Sequence, residues 1–375
     1  MVRLVKTSLS SLVLFSKCLG IFPYHISTNN GVTFSVTFAI WSILLNILLS
    51  YGSFLAILTP AEFEINAIYD GLMNVQFVSL QFALNLHVIW LIIYRKELQN
   101  AFTVLINLEE IEPLNKKLSL KYPLLCYSII IFMFFNEFMI FSYDSSYDII
   151  TSILYHIQAA FLFSATYQFT GLLSICRKGF RAMIKILKDK FHSVDLPYLI
   201  DNYDQLITCC ELINICYGPL LLIALISFFV IITTNLYIAY LYWPNTEDIL
   251  LSLSWAFLYL NSTRYLANSC WRTVEITKQF YYLLYKQLIK YEDRYQDSYN
   301  RLTVDFLNKR ELKFTAFGYF SIDYGMICTM VGTSATYLII FIQFSTKPIT
   351  EDQPKDYLNL TDYENSTSNY DNYTM

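Results

Sequence analysis

Charge is scarce in this sequence. Only 15% of its 375 residues are Asp, Glu, Lys or Arg, while 55% are hydrophobic; soluble domains carry about 25% charge, so a water-soluble fold of this make-up would be hard to keep in solution. Glycine and proline are sparse as well, ten and nine residues, with the prolines mostly near the ends of apolar stretches. Transporters built from internal repeats and Gly- or Pro-broken helices at mid-membrane find no support in that pattern. Histidine occurs four times, at His25, His87, His156 and His192, and the chain has no His-Glu-x-x-His, no Gly-rich phosphate loop and no Gly-x-Ser-x-Gly. Catalysis therefore has nothing to stand on, and no enzyme, cofactor or metal site is expected.

Apolar and aromatic residues fill the space that charge leaves. Aromatics make up 17% of the chain, led by 31 Tyr and 29 Phe, which suits a bundle with broad packing surfaces and interfacial belts. Stretches long enough to cross a hydrocarbon core of ~30 Å, roughly 20 residues each, are found at 34–58, 68–94, 122–142, 150–175, 216–242, 249–271 and 321–345. The apolar run from Leu12 to Tyr24 is interrupted by Lys17 and ended at Pro23, and it reads as an interfacial helix rather than a span or a signal peptide.

Lys and Arg are missing altogether from three short connections, which instead hold Glu62, Glu64, Asp144, Asp148, Glu247 and Asp248. Three basic residues precede the first span, five lie between the second and third, six between the fourth and fifth, and nine between the sixth and seventh. Thus 23 of the 26 fall on one side. The positive-inside rule makes that side, and the N-terminus, cytoplasmic, so seven crossings put the C-terminus outside. The polar, acidic tail after Phe344 carries three Asn-x-Ser/Thr triplets, at Asn359, Asn365 and Asn372, which are glycan acceptors if the tail is luminal during synthesis. All eight cysteines fall in spans or on the basic side, which argues against a disulfide framework.

Seven spans suggest a G-protein-coupled receptor, and Asp293-Arg294-Tyr295 even matches its tripeptide. Here, however, the tripeptide lies in a charged connection more than twenty residues past the sixth span, Asn-Pro is absent, and the charges give the opposite orientation. In the seventh span Thr329, Thr333, Thr336, Ile340 and Gln343 share one helical face, flanked by Met330, Tyr337, Leu338, Phe341 and Phe344. A polar stripe in a membrane helix lines water or packs on polar partners. One stripe cannot enclose a pore, so the pore reading needs several copies of the chain; an interhelical hydrogen-bond seam is the alternative. Gly332 and Thr336 form a small-x-x-x-small pair that allows close helix approach.

The end of this span, Thr336-Tyr337, five apolar residues, then Gln343-Phe344, preceded by Phe314-Thr315-Ala316-Phe317-Gly318-Tyr319-Phe320-Ser321-Ile322-Asp323, closely resembles the terminal motif of the insect gustatory receptor family. The resemblance of architecture covers nearly the whole chain, and the residue matches are confined to its last quarter. It implies an all-α membrane protein with seven transmembrane helices and a pore formed by the last helix in a tetramer. The implied activity is that of a tastant-gated, non-selective cation channel of the plasma membrane, placed by the family in sensory neuron dendrites and serving taste perception. Its implied partners are a small-molecule tastant, the lipid bilayer, permeant cations and copies of itself or other gustatory subunits, with no nucleic acid.

By the same resemblance Gln343 and Phe344 are gate candidates, with Ile340, Thr336, Thr333 and Thr329 on the pore face and Tyr337 supporting the helix. Residues 1–271 form the N-terminal segment and the peripheral six-helix ligand bundle, 272–320 the cytoplasmic anchor, 321–345 the pore helix and 346–375 a disordered extracellular tail. Depth alone then selects pocket candidates from the outer halves of the spans: Asn136, Glu137, Tyr155, His156, Gln158, Asn235, Tyr240, Trp255 and Tyr259. Polar groups beside aromatic walls are what a sugar or alkaloid site needs, and Glu137 and His156 lie at similar depth and are candidates to pair. Each of them also has an ordinary reading as an interhelical hydrogen bond. An odorant receptor of the same superfamily and a seven-helix receptor signalling through cytoplasmic partners without its own pore are the other readings.

Overall fold

The computed structural model describes residues 17, 24–26, 32–58, 67–108, 131, 135, 149–189, 196–244, 246–290 and 311–345. Among these residues the chain forms seven helices: α1 (Val36–Leu58), α2 (Ala67–Ile93), α3 (Arg95–Leu108), α4 (Ile149–Asp189), α5 (Leu196–Leu241), α6 (Thr246–Lys290) and α7 (Tyr324–Phe344). Two antiparallel hairpins accompany them, β1 (Tyr24–Ile26) with β2 (Val32–Phe34) and β3 (Thr315–Ala316) with β4 (Phe320–Ser321). Five helices, α1, α2, α4, α5 and α7, hold stretches long and apolar enough to cross a membrane. The expected third span, 122–142, apart from Ile131 and Phe135, the charged loop with Asp293-Arg294-Tyr295 and the tail after Ser345 lie outside the described residues.

The fourth, fifth and sixth spans are parts of much longer helices, of 41, 46 and 45 residues. At 1.5 Å per residue these run roughly 60–70 Å, about twice a hydrocarbon core. The excess lies at the end rich in Lys and Arg, where the helices pack on one another instead of on lipid. Tyr203 of α5 stacks on Phe280 of α6 with ring centroids 4.2 Å apart, and Phe180 of α4 meets Tyr203 edge-on at 5.3 Å. Arg177 of α4 binds α6 there, its Nη1 donating to the Ser269 carbonyl at 2.7 Å and the Ser269 hydroxyl at 2.8 Å.

Helix α4 is the axis of the bundle. Every residue from Gln158 to Ser174 is buried, against α5, α6, α2 and α1. Helix α1 behaves oppositely, exposing Ile40, Leu44, Leu48, Tyr51 and Leu55 as a lipid-facing flank. Helix α7 stands at the edge and buries only Met330 and Ser334 of its 21 residues, where it lies against α5 and α6.

Candidate functional site

Helix α7 starts at a built cap. Asp323 is the N-cap, its Oδ1 accepting from the Met326 amide at 3.1 Å and its Oδ2 from the Ser321 hydroxyl at 2.7 Å. These bonds hold the carboxyl below its ordinary range. The next residue, Tyr324, donates to Asn268 Oδ1 of α6 at 3.0 Å and meets Trp271 edge-on.

The contact face of α7 runs through Met330, Ser334, Tyr337 and Phe341. Thr233 Oγ1 and Ser334 Oγ are 3.1 Å apart, and Thr233 also donates to the Phe229 carbonyl at 2.8 Å. A hydroxyl has one hydrogen, so Thr233 gives its own to Phe229 and accepts the one from Ser334. Tyr337 lies edge-on to Phe229 of α5 at 5.9 Å, and Phe341 to Tyr237 at 5.7 Å. Ser334 escapes sequence reading because it lies on the apolar face; its place four residues after Met330 and three before Tyr337 is the signal that could have found it. Leu338 and Phe344, read with that face, are not on its buried line, and Phe344 is 69% exposed.

The neighbouring face, about 110° round the helix, carries the expected stripe. Thr329, Thr336 and Gln343 are exposed, with Thr333 and Ile340 half-buried. Thr329 and Thr336 return their hydroxyl hydrogens to Gly325 and Gly332 of their own helix, each at 3.1 Å, so each needs no outside acceptor. Gln343 is exposed and makes no such internal bond among the described residues. Outside its own helix's backbone, a Cβ added at Gly332 would meet nothing within 4 Å among the described residues, so the close helix approach its small-residue pair permits is not made there.

Within the bundle the structure brings Tyr155, His156, Trp255 and Tyr259 together. The His156 ring lies 5.4 Å from Tyr155 and 5.3 Å from Trp255, and Tyr259 touches Trp255, Phe163 and Phe228. Gln158 points elsewhere: its Nε2 donates to Gln81 Oε1 of α2 at 2.9 Å and bonds Ser53 of α1. Asn235 returns its amide to the Ile231 carbonyl, and Tyr240 is exposed beside Tyr237, so neither joins the cluster. Asn136, Glu137, Asn359, Asn365 and Asn372 lie outside the described residues.

Sequence depth missed the partners on α1 and α2. Gln81 Nε2 reaches Asn46 at 3.1 Å and Ser50 at 2.6 Å, and the Tyr155 hydroxyl donates to Gln76 at 3.2 Å. Asn46, Ser50 and Ser53, spaced four and three, form a polar face on α1 that announces this seam. Gln76 Nε2, Gln158 Oε1 and both polar atoms of Gln168 are buried without a partner among the described residues. Buried polar atoms are nearly always satisfied, so such groups call for water or a ligand.

A third arrangement joins α2, α5 and the β3–β4 hairpin. Trp90 Nε1 of α2 donates to the Ile215 carbonyl of α5 at 3.1 Å, and its ring meets Phe317 edge-on at 5.4 Å. Phe317 has φ +52°, a left-handed conformation that costs a residue with a Cβ about 1–2 kcal/mol. Its backbone lies so close to α5 that a Cβ on Gly218 would come within 3.3 Å of Phe317 Cα. Asn214 clasps the same hairpin, accepting from the Thr315 amide at 3.2 Å.

A helical bundle with an apolar flank, a polar-seamed interior and a detached, polar-striped last helix defines a multi-pass membrane protein. The chain belongs to the 7tm chemosensory receptor family, whose profile matches residues 9–347. Its fold is similar to that of the insect olfactory receptor OR5 from Machilis hrabei, with a TM-score of 0.64 and 12% identity over 91% of this chain and 99% of that one. The structure of OR5 in complex with eugenol gives 0.63 and 14%, over 92% and 99%. No curated protein matches the chain in sequence.

Proposed function

We propose that this receptor is a gustatory receptor: a tetrameric, tastant-gated, non-selective cation channel of the plasma membrane, with its N-terminus cytoplasmic and α7 lining the pore. The observation that carries the reading is α7 itself. It buries two of 21 residues in its own subunit while presenting Thr329, Thr336 and Gln343 outward. Thr329 and Thr336 bond their own helix, but the Gln343 amide bonds nothing among the described residues, and a polar group facing hydrocarbon is costly, so that end of the stripe calls for water enclosed by further copies. The aromatic cluster of Tyr155, His156, Trp255 and Tyr259, with Gln76 of α2 accepting from the Tyr155 hydroxyl and its Nε2 unpartnered among the described residues, supports a ligand site in the bundle. OR5, a structural neighbour, has been solved with the small molecule eugenol. That neighbour is an olfactory receptor, and the Gln343-Phe344 ending favours the gustatory branch instead.

The test is cation current in excised, nucleotide-free patches from cells expressing the chain alone or with a family partner. Tastant-evoked current is expected; its absence with every partner would reject the channel. The orientation is tested separately: a glycosidase-sensitive mobility shift that disappears when Asn359, Asn365 and Asn372 are changed to Gln puts the tail outside.

A further inference from the structure

We propose that Trp90 is a positioning residue that stands in for the amide hydrogen Pro219 lacks, and thereby seats the hairpin leading into α7. In an α-helix the carbonyl of residue 215 accepts from the amide of residue 219, but α5 has Pro219 there, inside the helix. Its ring has no hydrogen to give, and proline inside a membrane helix persists where neighbouring groups satisfy the freed carbonyl. The indole N–H of Trp90 lies 3.1 Å from the Ile215 oxygen. The donor comes from α2, outside the helix that needs it.

The same turn of α5 is where the hairpin rests. Gly218, next to the proline, has no Cβ and lets the Phe317 backbone come into contact, while the ring of Phe317 leans edge-on against Trp90. Asn214, one residue before the freed carbonyl, binds Thr315 through both its oxygen and its nitrogen. Six residues after Phe317 the chain reaches Asp323, the cap of α7. Trp90 thus touches both sides of the joint: its N–H fixes the α5 turn and its ring backs the strained residue mounted on that turn. Movement of α2 against α5 is passed to the start of α7 through this side chain.

The consequence for gating rests on α7 being the conducting helix, whereas the positioning role does not, so hydrogen exchange on the purified full-length chain tests it independently of current. In W90F, which keeps a ring and deletes the N–H, peptides covering 311–326 are expected to exchange about five- to tenfold faster, the worth of one hydrogen bond. In P219A the helix regains its own amide donor, so adding W90F to that background is expected to change the same peptides by less than twofold. Equal acceleration in both backgrounds, or none in either, overturns the proposal. If P219A does not fold, Trp90 is replaced by 3-benzothienylalanine, which keeps the bicyclic ring without the N–H. Acceleration of 311–326 is expected again, and unchanged exchange overturns the proposal. Patch recordings on the same variants are expected to show an altered tastant response. Loss of all current in the parent chain rejects the channel reading while the exchange result stands.

Discussion

Changing Gln343 to Leu separates folding from conduction. Gln343 is exposed and its side chain bonds nothing among the described residues of its own subunit, so the substitution removes no intrachain hydrogen bond and opens no cavity. Exposed changes of this kind cost within about 0.5 kcal/mol. In a chain of this length that moves Tm by less than about 2 °C, since 1 kcal/mol already shifts a domain of roughly 200 residues by only about 2–4 °C. On the proposed pore axis the same change would act once per subunit, replacing a ring of amides with an apolar constriction that favours dewetting. An added barrier of about 1.4 kcal/mol lowers the rate tenfold. Unitary conductance in Q343L is therefore expected to fall several-fold while the melting temperature in detergent stays put. Unchanged conductance, ion selectivity and tastant response would refute the pore assignment. A melting temperature lower by more than 5 °C would instead mark Gln343 as a packing residue, contrary to its exposure.

Three further outcomes follow from the same contacts. Ser334→Ala deletes the hydroxyl bond to Thr233 but leaves Thr233 its Phe229 acceptor, so the loss is about 0.6 kcal/mol, the average for membrane hydrogen bonds. About threefold more ligand-free current is expected as α7 loosens from α5; unchanged basal current in both Ser334→Ala and Thr233→Val counts against the latch. His156→Phe keeps a ring between Tyr155 and Trp255 but removes its nitrogens, and tastant potency is expected to drop about tenfold at unchanged surface expression, the effect of losing one hydrogen bond to a ligand; unaltered potency removes His156 from the ligand site. Asp323, held below the usual carboxylate range by Ser321 and Met326, stays ionised through mildly acidic pH. The stability its cap contributes is present above its unfolded pKa and is lost only as pH falls through the lowered folded one. Amide exchange at Met326, corrected for its intrinsic pH dependence, should be equally protected at pH 7 and pH 5, and loss of protection at pH 5 would contradict the cap.

Hydropathy makes six of the expected spans legible as helices here, because burial in lipid demands long apolar runs whatever the tertiary fold. It gives the apolar parts of α4, α5 and α6 and not their full lengths, since beyond those stretches the helices are held by one another. The stack of Tyr203 on Phe280 joins residues 77 positions apart in sequence, and no local pattern pairs them. Depth likewise gives a residue's height but not its azimuth. Depth alone groups Gln158 with His156, yet two steps along a helix turn it about 200° away, toward Gln81 and Ser53. The stripe on α7 was legible because it needs only helical periodicity. Its outward polarity is less than the residue types suggest, since Thr329 and Thr336 spend their hydrogens on their own helix.

The attachments of α7 are graded along its length. At its start it is held by the Asp323 cap, the Tyr324–Asn268 bond and the hairpin seated on Asn214 and Gly218. Midway the Ser334–Thr233 pair is its buried polar tie. Beyond that, Tyr337 and Phe341 meet α5 through ring edges, contacts worth about 0.5–1.5 kcal/mol each and tolerant of sliding. A helix fixed at one end and greased at the other moves most where it is held least. In α7 that end carries Ile340, Gln343 and Phe344. If α7 conducts, a small displacement at the hairpin reaches its largest amplitude at those three residues, which gives a mechanical reason for a gate at the far end of the helix from the joint that drives it.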